Sequence, residues 1–93
     1  MLETQLTIVN KLGLHARAAG KLVNLTKTFS SQVSLARADE NDAEEVDGKS
    51  IMAVMLLAAP IGSELNVCVD GEDEAAAMAA ISELIADRFG EDE

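Results

Sequence analysis

The segment Gly13-Leu14-His15-Ala16-Arg17 holds the only histidine of the 93-residue chain and sets it where a glycine-containing turn meets the start of a helix. The first four N–H groups of a helix lack internal partners, and together with the macrodipole they form a local positive site for anions. A phosphate beside His15 would meet the backbone N–H groups of Ala16 and Arg17 without any further loop. Arg17 adds a permanently charged guanidinium that can donate a bidentate fork to phosphate oxygens, where a lysine would be a point charge. Neutral imidazole can act as a nucleophile without extreme activation. The set fits a phosphoryl-accepting histidine with Arg17 as its phosphate clamp. Taken alone, such a segment is more often a polar helix cap or an exposed loop residue, because short motifs carry a high false-positive rate.

The elements that must position these residues can be read from periodicity. Leu2, Thr4, Leu6 and Ile8 alternate with Glu3, Gln5 and Thr7, the period-two pattern of a half-buried strand. Asn10 and Gly13 mark a loop. From Ala16 to about Thr28, Ala18, Leu22, Leu25 and Phe29 share one helical stripe, while Arg17, Lys21, Asn24 and Thr28 share another. Val33 and Leu35 give a second strand. A third, around Glu44 to Asp47, is weak by pattern. Ser50 stands where an N-cap is expected, directly before Ile51-Met52-Ala53-Val54-Met55-Leu56-Leu57, and Pro60 and Gly62 end that segment. Leu65, Val67 and Val69 alternate with Asn66 and Cys68 in a fourth strand. Past Asp70-Gly71, the acids Glu72, Asp73 and Glu74 suit a helix N-terminus, and Met78, Ile81, Leu84 and Ile85 form the core stripe of that helix. Gly90 reads as its stop, with Glu91 to Glu93 as a solvated tail. Helices on one face of an antiparallel sheet, an α+β arrangement, is what this order predicts.

Composition excludes several functions. A chain of 93 residues fits one domain spanning 1–93, burying roughly 60 to 65 per cent of its unfolded surface, which leaves little room for an internal active-site cavity. Hydrophobic content of 48% against 26% charged argues for a folded globule. The single Cys68 forms no intramolecular disulfide, and with one histidine it supplies no ordinary structural zinc site, so no metal and no cofactor are expected. No basic, apolar leader and no apolar run of membrane-spanning length stand out, which leads to the expectation of a cytoplasmic protein without membrane insertion. A net charge of −10 argues against nucleic acid as a partner. The sign is uneven, however. No acidic residue lies between Thr4 and Ala38, whereas Lys11, Arg17, Lys21, Lys27 and Arg37 do, so the end that carries His15 is expected to be locally positive. For Lys27 and Arg37 the plainer reading is ordinary solvated surface.

Gly13-Leu14-His15-Ala16-Arg17-Ala18-Ala19 together with Gly48-Lys49-Ser50-Ile51-Met52-Ala53-Val54-Met55 resembles the histidine-containing phosphocarrier (HPr) family of the bacterial sugar phosphotransferase system. The resemblance runs over nearly the whole chain. It implies an open-faced β-sandwich: a four-stranded antiparallel sheet of order 1-4-2-3 with three helices packed on one face. It also implies that His15 takes a phosphoryl group on Nδ1 from phospho-enzyme I and passes it to a histidine of an EIIA-type domain. The protein would then be a carrier, a monomer, and no turnover enzyme. Ser50 matches the serine that a bifunctional HPr kinase/phosphorylase modifies in members with that regulation. Many members have proline at the position of Ala18, a change the first helical turn accommodates. The segment from Arg37 to Gly48 looks about four residues longer than usual, with a strongly acidic middle from Asp39 to Glu45.

A short helix that is apolar nearly all round cannot hide every side chain against one sheet face, so part of Ile51, Met52, Met55 and Leu56 should reach the surface, while Val54 and Leu57 belong to the core. Ile51, Met52 and Met55, with Lys21 and Lys49, are the expected partner-docking residues, methionine being suited to a surface that must fit several partners. As a bare N-cap Ser50 would contribute about 1 kcal/mol and need no further role. Its phosphorylation would add roughly −1.5 to −2 charge beside that patch, which is expected to slow transfer at His15. Two rival readings stay open at this point. The serine of Asp47-Gly48-Lys49-Ser50-Ile51 is similar to that of a helical acyl carrier, against which the strand segments argue. Alternatively, a regulatory paralogue would keep the fold and His15 but signal through its phosphorylation state rather than feed sugar uptake.

Overall fold

The period-two segments form strands whose apolar rows lie together under the helices. The structure, a computed structural model, describes residues 1–39 and 44–91. In chain order the elements are β1 (Leu2–Thr7), α1 (Ala16–Thr26), β2 (Gln32–Arg37), β3 (Val46–Asp47), α2 (Ile51–Leu56), β4 (Glu64–Asp70) and α3 (Glu74–Ala86), closed by a 3₁₀ turn, Arg88–Gly90. The four strands pair antiparallel in the order β1-β4-β2-β3. Register aligns the inward side chains across the sheet, with Leu2 opposite Val69 and Val69 opposite Val33, and Thr4 opposite Val67 and Val67 opposite Leu35. These rows meet Leu22 and Val23 of α1, Val54 of α2 and Ala77, Ile81 and Ile85 of α3 in one core. Outward positions such as Glu3, Gln5, Glu64 and Asn66 are exposed, because the second face of the sheet has no helix over it. Cys68 lies on that face, half-buried and unpaired.

The helix layer has a definite sense. The Thr26 hydroxyl, at the end of α1, donates to the Gly48 carbonyl at 2.7 Å, just before α2 begins. The Leu14 amide, just before α1, donates to the Ala59 carbonyl at 2.8 Å, just after α2 ends. The two helices are therefore antiparallel, and the start of α1 sits beside the end of α2. Gly13 makes that close approach possible: its φ is +70°, and a Cβ there would stand 2.6 Å from the Ala59 carbonyl oxygen.

Three local readings are revised. Arg37, expected as ordinary surface, has a largely buried side chain (13% exposed) that closes the end of α2. Its Nη1 donates to the Leu57 and Ala58 carbonyls at 3.1 and 3.4 Å, while Nε and Nη2 grip Asp39 at 2.8 Å each. The third strand is shorter than Glu44 to Asp47, because only Ser34 and Leu35 of β2 pair with it. The stop assigned to Gly90 comes earlier, since α3 ends at Ala86 and the chain then turns through Arg88, Phe89 and Gly90, all with positive φ (57°, 55° and 76°). Most of the acidic middle, residues 40–43, lies outside the described residues.

Acids at the α3 start do more than suit its dipole. The Asp73 carboxylate accepts from the Ser30 and Ser31 amides at 2.8 and 2.9 Å and from the Ser31 hydroxyl, tying the α1–β2 loop to α3. The Ser31 hydroxyl above all, with the two amides, draws its pKa down to about 2.

Candidate functional site

His15 is the N-cap of α1 (φ −79°, ψ −180°), held by the Ala19 amide on its carbonyl at 2.8 Å and by its own amide on the Gly13 carbonyl at 3.0 Å. Its Nδ1 accepts from the Arg17 backbone N–H at 3.3 Å. That contact fixes the chemistry of the ring. A nitrogen that accepts an N–H carries its lone pair, so Nδ1 is the unprotonated nitrogen and points at the amide end of the helix. Half-buried, with its side chain 28% exposed, the ring stays reachable from solvent. Arg17 and Ala16 are exposed beside it, and the Arg17 side chain bonds to none of the described residues. A lone pair, helix-end amides and a guanidinium share one exposed edge, an arrangement suited to holding an anionic group.

The other ring nitrogen has a partner that sequence reasoning missed. Nε2 contacts the Glu91 carboxylate closely, and the second Glu91 oxygen accepts from the buried Asn10 Nδ2 at 3.0 Å. Asn10 Nδ2 also donates to the Gly13 carbonyl at 2.7 Å, so one amide group joins the turn, the histidine and the closing segment. The His15 and Asn10 hydrogen bonds, in that order, hold the Glu91 carboxyl below the usual carboxylate range. Glu91, expected in a solvated tail, instead has a side chain only 16% exposed; residues 92–93 lie outside the described residues. Nothing local marks it, since an acid in an acidic terminal run on a chain of charge −10 looks like any other solvating residue.

The remaining candidates divide by position. Lys21 shares the exposed side of α1 with Arg17, and its ammonium donates to the Phe89 carbonyl at 2.6 Å. Lys49 lies at the opposite end of α1 from His15, where its ammonium donates to the Phe29 carbonyl at 2.8 Å. Ser50 is the N-cap of α2, its Oγ accepting from the Ala53 amide at 3.3 Å. The antiparallel packing therefore separates Ser50 from His15 by the length of α1, about 16 Å for eleven residues. Ile51, Met52, Met55 and Leu56 are exposed (42, 77, 44 and 78%), whereas Val54 and Leu57 are buried, as the apolar pattern of the segment led one to expect. Leu12 and Ile61, in the turns before α1 and after α2, are also exposed. Among the described residues no group of three His, Cys, Asp or Glu side chains is gathered to hold a metal ion, and no helix is long and apolar enough to cross a membrane.

Over residues 2–87 the chain matches the family model described as the PTS HPr component phosphorylation site. The chain belongs to the HPr family of phosphocarriers. Phosphocarrier protein HPr of Cupriavidus necator is 54% identical over 93 residues, the full length of both chains. Among solved structures, HPr-C-His from Thermoanaerobacter tengcongensis superposes with a TM-score of 0.89 at 39% identity, covering all of both chains. An HPr dimer from the same organism superposes with a TM-score of 0.73 at 40% identity, covering 98% of this chain and all of that one. The β1-β4-β2-β3 sheet under three helices is thus the HPr fold, and the exposed His15 edge lies within the segment matched by the family model.

Proposed function

We propose that this chain is the phosphoryl carrier between phospho-enzyme I and an EIIA-type domain, with Nδ1 of His15 as the phosphoryl acceptor. The observation that supports it most is the bond from the Arg17 amide to Nδ1, which leaves that nitrogen's lone pair at the open, positive end of α1. Nδ1 attacks phosphorus in line as the bond to the donor breaks. The three oxygens that travel with phosphorus in the metaphosphate-like group then come under the Ala16 and Arg17 amides and the Arg17 guanidinium, while the donor atom leaves with the electron pair of the broken bond. The reverse displacement hands the group on. The chain supplies half of a transfer site and each partner the other half, so it works as a monomeric domain over 1–93, in the cytoplasm, with no cofactor of its own. Docking falls to Ile51, Met52 and Met55, with Lys21 and Lys49 at the flanks. HPr kinase/phosphorylase would act on Ser50; phosphorylation there adds charge at the start of α2, beside Ile51 and Met52, and so weakens docking to enzyme I without touching His15.

Incubation with enzyme I and phosphoenolpyruvate should add one acid-labile phosphoryl group per chain, and His15→Ala should abolish it. Labelling that survives in the variant would overturn the reading. Arg17→Ala should fold normally and transfer slowly, and a wild-type rate would remove Arg17 from the mechanism.

A further inference from the structure

The polypeptide after α3 runs back over the start of α1, and its course is held at several points. Phe89 is fully buried in the core although it and Arg88 both have left-handed backbone angles, a conformation that disfavours side-chain-bearing residues by roughly 1–2 kcal/mol each. Gly90 extends the left-handed run at φ +76°, where a Cβ would come 3.3 Å from the Lys21 ammonium. Lys21 clamps the Phe89 carbonyl, and Asn10 clamps the Glu91 carboxylate. Such strain persists only where surrounding contacts enforce it, and here it aims one carboxylate at the imidazole.

A carboxylate accepts hydrogen bonds and donates none, so the proton shared with Glu91 belongs to Nε2. Free imidazole distributes its proton between two nitrogens, and only one of the tautomers leaves Nδ1 nucleophilic. We propose that Glu91 is a positioning residue for His15, selecting the Nε2–H tautomer and lying against the charge that the ring acquires when Nδ1 is phosphorylated. This rests on the carrier reading above. In the transfer the Nδ1 lone pair becomes the N–P bond, and the electron pair of the breaking bond leaves with the donor atom. The Nε2 proton stays where it is, so the ring becomes a phosphoimidazolium whose positive charge faces the Glu91 carboxylate. In onward transfer the N–P electron pair returns to Nδ1 and the ring is neutral again, with no proton moved in either direction.

Long-range ¹H–¹⁵N spectra of the imidazole, together with single-turnover transfer from phosphorylated enzyme I, test this on the full chain. Wild-type His15 in its neutral form should show an amine-like Nε2 and a pyridine-like Nδ1. In Glu91→Ala the two ¹⁵N shifts should move toward each other, and the transfer rate should fall by at least roughly tenfold, the lower end of the loss when an outer partner that orients a histidine is removed. Glu91→Gln retains an acceptor without the charge, so it should restore the nitrogen shifts while transfer stays slow. Unchanged shifts and an unchanged rate in Glu91→Ala would overturn the proposal, as would Glu91→Gln transferring at the wild-type rate. Because the spectra need no phosphoryl donor, a wild-type chain that fails to accept phosphate would defeat the carrier reading while the tautomer result still decides the role of Glu91.

Discussion

The Lys21 ammonium donates to the carbonyl of Phe89 at 2.6 Å, joining two residues 68 positions apart and securing the closing segment to the side of α1 that also carries Arg17. A lysine with the spacing of a docking residue is thereby also a clamp on the backbone that carries Glu91 to His15. The positive end expected from the charge distribution is correspondingly modified: Arg17 remains open, Lys21 is engaged, Arg37 is occupied at the end of α2, and a carboxylate has been brought in beside the histidine.

Phe89 is the anchor of that segment. Phe89→Ala should lower stability by about 3–5 kcal/mol, the usual loss when a buried phenyl ring is removed, which for a domain of this size lowers Tm by more than about 10 °C. The same variant should release Glu91 from His15, so that phosphoryl transfer slows even at temperatures where the chain is folded. Calorimetry and single-turnover transfer at 10–15 °C below the new Tm would check both. A stability loss below about 1 kcal/mol would mean that the ring is not packed in the core as described.

How much of this was legible in the sequence depends on how local each cause is. Strands β1 and β4 show clean alternation because one face of each is covered and the other bare, and Ser50 announces α2 because a cap acts within three residues. The His15 edge was legible for the same reason: its N-cap role, the Arg17 amide and the Gly13 turn fall within five consecutive residues. Strand β3 was not, because two residues cannot display a period. Asp73 could be read as an acid at a helix start, but its partners Ser30 and Ser31 lie more than forty positions away. Glu91 was invisible on stronger grounds. Its partner is 76 residues distant, and the path between them depends on burying Phe89 through a left-handed turn that propensity disfavours.

Asp73 should give the chain a distinct acid response. Its carboxyl titrates near 2 in the folded state against an ordinary 3.8, held down by the Ser31 hydroxyl and the Ser30 and Ser31 amides. A depressed folded pKa contributes stability that is present in full above the ordinary value and is lost as pH falls through the folded one. Wild type should therefore be more stable than Asp73→Asn at pH 7, with the gap constant down to about pH 5 and closing between about pH 4 and 2. Thermal melts of both proteins across that range check it. A gap that does not depend on pH would show that the carboxylate charge is not what holds the loop.

The apolar surface of α2 yields a test that separates docking from chemistry. Leu56 and Met52 are the most exposed residues of the helix and contribute little to the core, so charging them should leave folding intact. Leu56 lies at the end of α2 that packs beside the start of α1, next to the edge that carries His15, whereas Met52 lies nearer Ser50. Leu56→Glu, which sets a charge beside the docking residues Met52 and Met55 at the His15 end of the patch, should raise the KM for transfer from enzyme I by roughly tenfold, about 1.4 kcal/mol of binding, with kcat nearly unchanged. Met52→Glu should do the same more weakly, and Asn66→Glu, on the uncovered face of the sheet, should do nothing. If charging Leu56 lowers kcat and leaves KM alone, the helix acts on the reacting atoms and not on encounter. If Asn66→Glu raises KM as much as Leu56→Glu, the effect is general repulsion by an already acidic protein, and α2 is not the docking face.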